Sequence, residues 1–333
     1  MPPTALREGG RCRSCCCAVS SDESPYPALS WARIVSVATR PGNRVVGAAA
    51  TPVPRSATIG AMGVPKDSRT VLAPPRRAVV PAAGRGSRMA ALAGGRAKEL
   101  LPVGGRPLLE HAFADLASSG ITEALIVVGP AKPEIRAAFG DRCGPLALHY
   151  VTQAEPRGLA DALSLAEPFA AGEPFVCWLP DNLWVGRRPA TAQLIAGWCA
   201  EGDPAASAAA LVERTSAAFD PVTVGSAGFV TTAPSRTPSG RRIAHVHPKG
   251  ERPALLAPTF LKGFPLVLWR PDLFERIRQE RARARSGELD DTPILQQLAQ
   301  EDALLGVVLR DGALHDCGVP RGYSAACAAL ASS

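Results

Sequence analysis

From Arg77 onward the chain alternates between short uninterrupted apolar runs and longer segments whose apolar residues recur at helical spacing. Ala78-Val79-Val80 reads as a buried strand, cut off by Gly84-Arg85-Gly86. Leu109, Ala112, Phe113 and Leu116 then repeat along one helical face, and Gly120 supplies a stop. Residues 124–128 are a continuous apolar strand that ends at Gly129-Pro130. Strand, helix, strand is the βαβ unit of a parallel sheet. The pattern recurs, with a helix over 159–166, a strand over 175–179, a helix over 191–199 and a charged, Arg-rich helix over 272–285. The predicted fold is α/β: an open, doubly wound, mostly parallel sheet with helices on both faces.

The first 76 residues have another texture. Prolines at 2, 3, 25, 27, 41, 52, 54, 65, 74 and 75 interrupt every candidate helix, and apolar stretches are short. This predicts a disordered leader, or a translation start placed downstream at Met62, ahead of one body spanning 77–333. The chain has 37 Lys and Arg against 30 Asp and Glu, net +7. Residues 1–76 hold ten basic and four acidic residues; the remaining 257 hold 27 and 26. The basic character thus belongs to the leader, and the near-neutral body argues against a nucleic-acid partner. The Arg-rich part of the 272–285 helix, 276–285, carries no aromatics, so it reads as surface, or as a contact between copies in a homo-oligomer. No run of about 18 apolar residues occurs, so no membrane partner is expected. Cys12, Cys15, Cys16 and Cys17 lack the His partners or second spaced pair of a zinc site. Cys143, Cys177, Cys199, Cys317 and Cys327 are scattered and odd in number, which fits a reduced, cytoplasmic compartment.

Open α/β sheets bind ligands beyond the carboxyl ends of their strands. Two features fall there. The first strand runs into Ala83-Gly84-Arg85-Gly86-Ser87-Arg88, where glycines let backbone N–H groups meet phosphate oxygens and Arg88 adds charge. The strand at 175–179 leads into Pro180-Asp181-Asn182. The loop is neither a dinucleotide fingerprint, since Met89 stands at the third glycine position, nor a Walker loop. Alone, it equally suits a tight strand-to-helix turn. Lys98 adds weight: with five lysines against 32 arginines, a lysine here suggests work for a compact point charge.

Taken together, Pro81-Ala82-Ala83-Gly84-Arg85-Gly86-Ser87-Arg88, Lys98-Glu99-Leu100-Leu101-Pro102 and Arg106-Pro107-Leu108-Leu109 resemble the signature of sugar-1-phosphate nucleotidylyltransferases. The likeness is greatest to the bacterial UTP–glucose-1-phosphate uridylyltransferases. Gln153 to Gly158-Leu159-Ala160 resembles their base-recognition segment, shared with the thymidylyltransferases. Leu179-Pro180-Asp181 resembles their metal aspartate, and His315-Asp316-Cys317-Gly318 with Gly322-Tyr323 the uridylyl branch.

The resemblance implies in-line attack of a sugar 1-phosphate on the α-phosphorus of UTP, with Mg²⁺ as cofactor and pyrophosphate leaving. It implies Arg88, Lys98 and Lys249 as phosphate-facing catalytic residues, and Ala83, Gly84, Gly86, Arg88, Gln153 and Gly158 as the nucleotide site. Asp181 and Asp316 are the implied metal ligands. Lys249 lies fourteen residues before Gly263, a spacing like the family's, but Pro248 replaces the glutamate expected beside it. Pro221-Val222-Thr223-Val224 stands where relatives carry Tyr-Gly-Val. Both departures concern the sugar, so nucleotidyl transfer is implied more firmly than glucose. The residues also admit plainer readings. Asp181 and Asp316 suit caps, Gln153 and Lys249 suit exposed surface, and His315 suits packing. The 288–291 acidic stretch reads as a solvated lead-in before Pro293. The rival functions are thymidylyl transfer, a non-catalytic nucleotide- or sugar-phosphate-binding protein, and, disfavoured by Met89, an NAD-dependent oxidoreductase.

Overall fold

The structure is a computed structural model that describes residues 71–215, 228–235, 240–248, 259–284 and 287–331. The strands among them are β1 (Arg77–Pro81), β2 (Pro102–Val103), β3 (Arg106–Pro107), β4 (Glu123–Val128), β5 (Arg142–Cys143), β6 (Leu146–Thr152) and β7 (Phe175–Trp178). They continue with β8 (Asn182–Gly186), β9 (Ser207–Thr215), β10 (Val230–Pro234), β11 (Gly240–Val246), β12 (Thr259–Trp269), β13 (Leu304–Val308) and β14 (Gly312–Asp316). The helices are α1 (Ala90–Ala93), α2 (Leu108–Ser118), α3 (Pro133–Phe139), α4 (Leu159–Ser164), α5 (Glu167–Ala170), α6 (Ala190–Glu201), α7 (Leu273–Arg283), α8 (Thr292–Gln300) and α9 (Pro320–Ala331).

Ten strands form one sheet in the order β10-β11-β13-β9-β12-β7-β1-β4-β6-β5. Following the pairings outward from β1, seven of these ten run in one sense and β5, β11 and β12 run against it. The expected doubly wound α/β sheet is what forms, with β12 inserted antiparallel between β7 and β9. A separate two-stranded ribbon, β8 with β14, pairs Asp316 with Asn182.

Alternation along the strands explains the two helical layers. Ala78 and Val80 face one side, with Ile126, Val176, Val212, Phe113 and Leu194. Val79 faces the other, with Leu125, Cys177, Leu211, Leu163 and Ile277. Because both faces are covered, the central strands are apolar throughout, and Val79 and Val80 are each 0% exposed. Full burial of such a side chain is worth about 1.5–3 kcal/mol.

The Arg-rich segment forms α7, which buries Leu273, Phe274 and Ile277. Three of its four arginines are engaged within the chain: Arg276 with Asp272 and Glu301, Arg278 with Glu275 and Glu167, and Arg281 with Asp161. The described cysteines, Cys143, Cys177, Cys199, Cys317 and Cys327, are free thiols. No helix among the described residues is long and apolar enough to cross a membrane. The four leader cysteines lie outside the described residues.

Candidate active site

A cleft of about 560 Å³ opens where β1, β6 and β7 end. It is lined by Ala83, Gly84, Gly86, Arg88, Lys98, Gln153, Gly158 and Asp181 together, although these are spread over nearly a hundred positions of sequence. The turn after β1 favours glycine at Gly86, where φ is +64°, with the Lys98 side chain packed alongside. Gly84 has no such neighbour among the described residues.

Lys98 sits on a short 3₁₀ turn and donates from Nζ to Asp181 Oδ2 at 2.6 Å. Burial works against the Lys98 charge, but the carboxylates of Asp181 and Glu99 prevail and hold its pKa above the ordinary lysine value. Burial likewise works against the Asp181 charge, and Lys98, with Arg88 behind it, outweighs burial and holds this carboxyl below the usual range. The pair is therefore ionised on both sides. Asn182 Nδ2 donates to the other oxygen of Asp181 at 2.8 Å and fixes its rotamer.

The turn that carries Lys98 is anchored from beneath. Glu99 is 1% exposed and receives both of its oxygens' hydrogen bonds from Lys132 Nζ, at 2.9 Å each. The same ammonium donates to Ala82 O at 2.8 Å, tying the glycine-loop backbone to the Lys98 turn. All three protons of Lys132 are used inside the protein.

Gln153, at the end of β6, is only 5% exposed, which excludes the exposed-surface reading. Its Nε2 donates to Gly158 O at 3.2 Å and to Asp161 Oδ2 at 2.8 Å. Gly158 has φ +101°, and an added Cβ would clash with the backbone of Leu289. Leu289 N donates to Arg157 O at 2.6 Å, and Ala160 N donates to Leu289 O at 3.0 Å. The 288–291 segment is thus a strap laid across the 157–160 turn, with Glu288 and Asp290 lining the cleft and Leu289 buried. The segment is the expected lead-in to the helix at Thr292, with Thr292 N donating to Asp290 Oδ1 at 3.2 Å and Glu288 exposed. What departs from a solvated stretch is Leu289, which backbone pairing beside Gly158 draws inward.

Asp316 ends β14, and its Oδ1 accepts from Gly318 N at 3.0 Å. Cys317 N donates to Asp181 O at 2.8 Å, drawing the two strand ends together. A Cβ placed on Gly318 would lie 2.9 Å from Asp181 Oδ2 and 3.1 Å from Asp316 Oδ1. The two carboxylates therefore flank one point, their oxygens no more than about 6 Å apart, and the bare glycine keeps the gap open. Asp316 makes the turn hydrogen bond that a cap would make as well. Asp181 leads into strand β8 and caps no helix. No group of three or more His, Cys, Asp or Glu gathers among the described residues. Two hard oxygen donors facing an open gap suit Mg²⁺, which takes one or two carboxylates and fills its shell with water and phosphate oxygens.

The model for the family described as nucleotidyl transferase matches residues 77–333. The chain belongs to this family. Among curated relatives, the UTP–glucose-1-phosphate uridylyltransferase of Streptococcus pyogenes is 33% identical over 145 residues, covering 36% of this chain and 48% of the relative. YngB of Bacillus subtilis, of the same name, is 32% identical over 143 residues with the same coverage. The chain thus spans about half the length of these relatives. A solved UDP-glucose pyrophosphorylase complexed with UDP-glucose shares the fold at TM-score 0.65 and 21% identity, over 77% of this chain and 98% of that one. A UTP-bound enzyme of Acinetobacter baumannii aligns at TM-score 0.63 and 20% identity, over 76% and 92%.

In this nucleotidyl transferase chain, nine of the sequence-derived candidates gather at one sheet edge: the eight lining residues above and Asp316. The tenth, Lys249, and the 221–224 segment lie outside the described residues. Lys132 and Leu289 were not anticipated. Lys132 carried a signal in principle, being another of the five lysines and following Gly129-Pro130 at a strand's carboxyl end. Leu289 carried none, because its partner Gly158 is more than a hundred residues away.

Proposed function

We propose that the chain transfers a uridylyl group from UTP to a sugar 1-phosphate, glucose 1-phosphate being the first choice, and releases pyrophosphate. An oxygen of the acceptor phosphate bonds to the α-phosphorus while the bond from that phosphorus to the β-phosphate oxygen breaks. Positioning and charge neutralisation supply most of such a reaction's catalysis. The observation that carries the proposal is the convergence of Asp181 and Asp316 over Gly318 beside the Lys98 ammonium.

In this reading the amides around Gly84 and Gly86, with Arg88, hold the triphosphate. Lys98 spends one N–H on Asp181, leaving two for phosphate oxygens. Asp181 and Asp316 would hold Mg²⁺, which when bound neutralises phosphate charge. Gln153 has both amide protons committed to Gly158 and Asp161, so its Oε1 remains as an acceptor for the N3–H of a pyrimidine. That selects uracil or thymine over cytosine, whose N3 has no proton. It does not separate uracil from thymine, so dTTP is the second reading. The family relatives named for UTP and glucose 1-phosphate support the first.

Incubation with each of UTP, dTTP, CTP and ATP against a panel of sugar 1-phosphates, with products identified by mass spectrometry, tests the proposal. A UDP-sugar is expected as the main product. Binding of UTP with no product from any pair would assign the chain instead to the non-catalytic class.

A further inference from the structure

The antiparallel strand β12 passes beyond the carboxyl end of β7: Leu266 pairs with Trp178, and Leu179 N donates to Pro265 O at 3.0 Å. Lys262 therefore lies on the stretch of β12 that overhangs the site. It pairs in register with Val212, and Arg214 with Phe260, so Lys262 and Arg214 project from the same sheet face. The β8–β14 ribbon packs on that face, where Arg214 Nη2 donates to Leu314 O at 2.7 Å, two residues before Asp316.

These two cations differ both from Lys98, which is paired with Asp181, and from Arg85 and Arg88, which are exposed. Among the described residues neither makes an ion pair with a carboxylate, and Lys262 has no side-chain hydrogen bond. Both are partly buried. Burial holds each below its ordinary pKa, with Asp316 drawing Lys262 partly back. His315, beside them, has a buried Nε2 without a hydrogen-bond partner. Desolvated cations without a counter-ion are costly, and a bound anion removes the cost. Lys98 bonds Asp181 beside the glycine loop, whereas Arg214 bonds the strand that ends in Asp316 and shares a sheet face with Lys262. The carboxylate pair thus has one set of cations on the glycine-loop side and a separate set on the β12 side. A reaction that joins two mutually repelling phosphates needs two such sets.

We propose that Lys262 and Arg214 seat the phosphate of the acceptor, the sugar 1-phosphate, on the side of the Asp181–Asp316 pair away from the glycine loop. The proposal rests on the nucleotidyl-transfer reading. Steady-state kinetics with UTP and glucose 1-phosphate, or the pair found active in the panel above, test it in the full chain. Lys262→Met should raise the KM for the sugar 1-phosphate by ~10-fold or more, the scale of a lost charge-assisted hydrogen bond. The KM for the nucleotide should stay within about twofold, and Lys262→Arg should recover most of the loss. The thermal midpoint of the unliganded Lys262→Met protein should not fall, because an unpartnered ammonium leaves the interior. If that variant does not fold, Lys262→Gln is read the same way. An unchanged sugar-phosphate KM, or equal rises in both KM values, would overturn the proposal. If the unaltered chain shows no turnover, the nucleotidyl-transfer reading fails instead, and calorimetry with inorganic phosphate decides this one. Weaker phosphate binding by Lys262→Met supports the seat; equal binding, or none by either protein, rejects it.

Discussion

The two sides of the carboxylate pair solve the problem of buried charge in opposite ways. On the glycine-loop side every buried charge has a partner: Lys98 with Asp181, and Lys132 with both oxygens of Glu99. On the β12 side Lys262 and Arg214 are half-buried with no carboxylate partner among the described residues. A paired site is preorganised and holds its shape without ligand, while an unpaired one gains its counter-charge on binding. The same ion type therefore has opposite consequences for stability on the two sides.

The sharpest way to break that comparison is to remove one lysine from each side. Lys132→Met strands the Glu99 carboxylate in the interior and should cost about 3–5 kcal/mol of unfolding free energy, read from denaturant titration. Lys262→Met should cost nothing. Similar losses from both would erase the distinction.

Next in size are the carboxylates themselves. Asp181→Ala and Asp316→Ala should each lower turnover by ~10²-fold or more, the usual scale of a lost transition-state electrostatic contact. Asp181→Ala should also reduce stability more than Asp316→Ala, since Lys98 loses its counter-ion whereas the second variant loses one turn hydrogen bond to Gly318 N. Initial rates of pyrophosphate release together with thermal melts would show whether the two effects separate in this way.

Acid titration distinguishes two kinds of buried carboxyl. Asp115 accepts from the backbone N–H groups of Ala190 and Thr191 at the start of α6 and faces no cation in that role. Burial, only partly offset by those hydrogen bonds, pushes its pKa up to about 6 from 3.8. Its folded form binds the proton more tightly, so its contribution is fullest below pH ~4 and is lost as pH rises to about 6, by up to roughly 3 kcal/mol. Asp181 is shifted downward, so its contribution is present above the ordinary carboxylate range and is lost only as pH falls through its lowered value. Lys98 is shifted upward, so its share persists until pH rises past the ordinary lysine value. The Lys98–Asp181 pair should therefore be indifferent to pH between about 5 and 9. Comparing pH–stability curves of the unaltered chain and Asp115→Asn should show the 4–6 slope in the former alone.

The smallest expected effect concerns the base. Gln153→Leu should raise the KM for UTP by about tenfold, the scale of leaving a polar partner unmatched, with the sugar-phosphate KM unchanged. A change in the sugar-phosphate KM instead would move Gln153 out of the base pocket.

The halves also differ in how far sequence exposes them. The β1–β4–β7 core is legible because each strand is buried on both faces and so reads as an unbroken apolar run such as 124–128. The glycine loop, Lys98 and Asp181 follow from being placed just after those runs. The β12 side is less legible for a physical reason. Lys262 lies in a long antiparallel strand whose register, set by Lys262 against Val212 and Leu266 against Trp178, decides which edge it reaches. Nothing local to Phe260-Leu261-Lys262-Gly263 states that register. Leu289 and Gly158 illustrate the same limit, as contacts made by topology.

The most direct test of the account is the rate of pyrophosphate release from UTP and glucose 1-phosphate by the unaltered chain, set against Asp181→Ala. The account predicts magnesium-dependent release, with UDP-glucose formed in equal amount, that falls by ~10²-fold or more in the variant. Release no faster than in Asp181→Ala, with dTTP and the other sugar 1-phosphates equally silent, would contradict it.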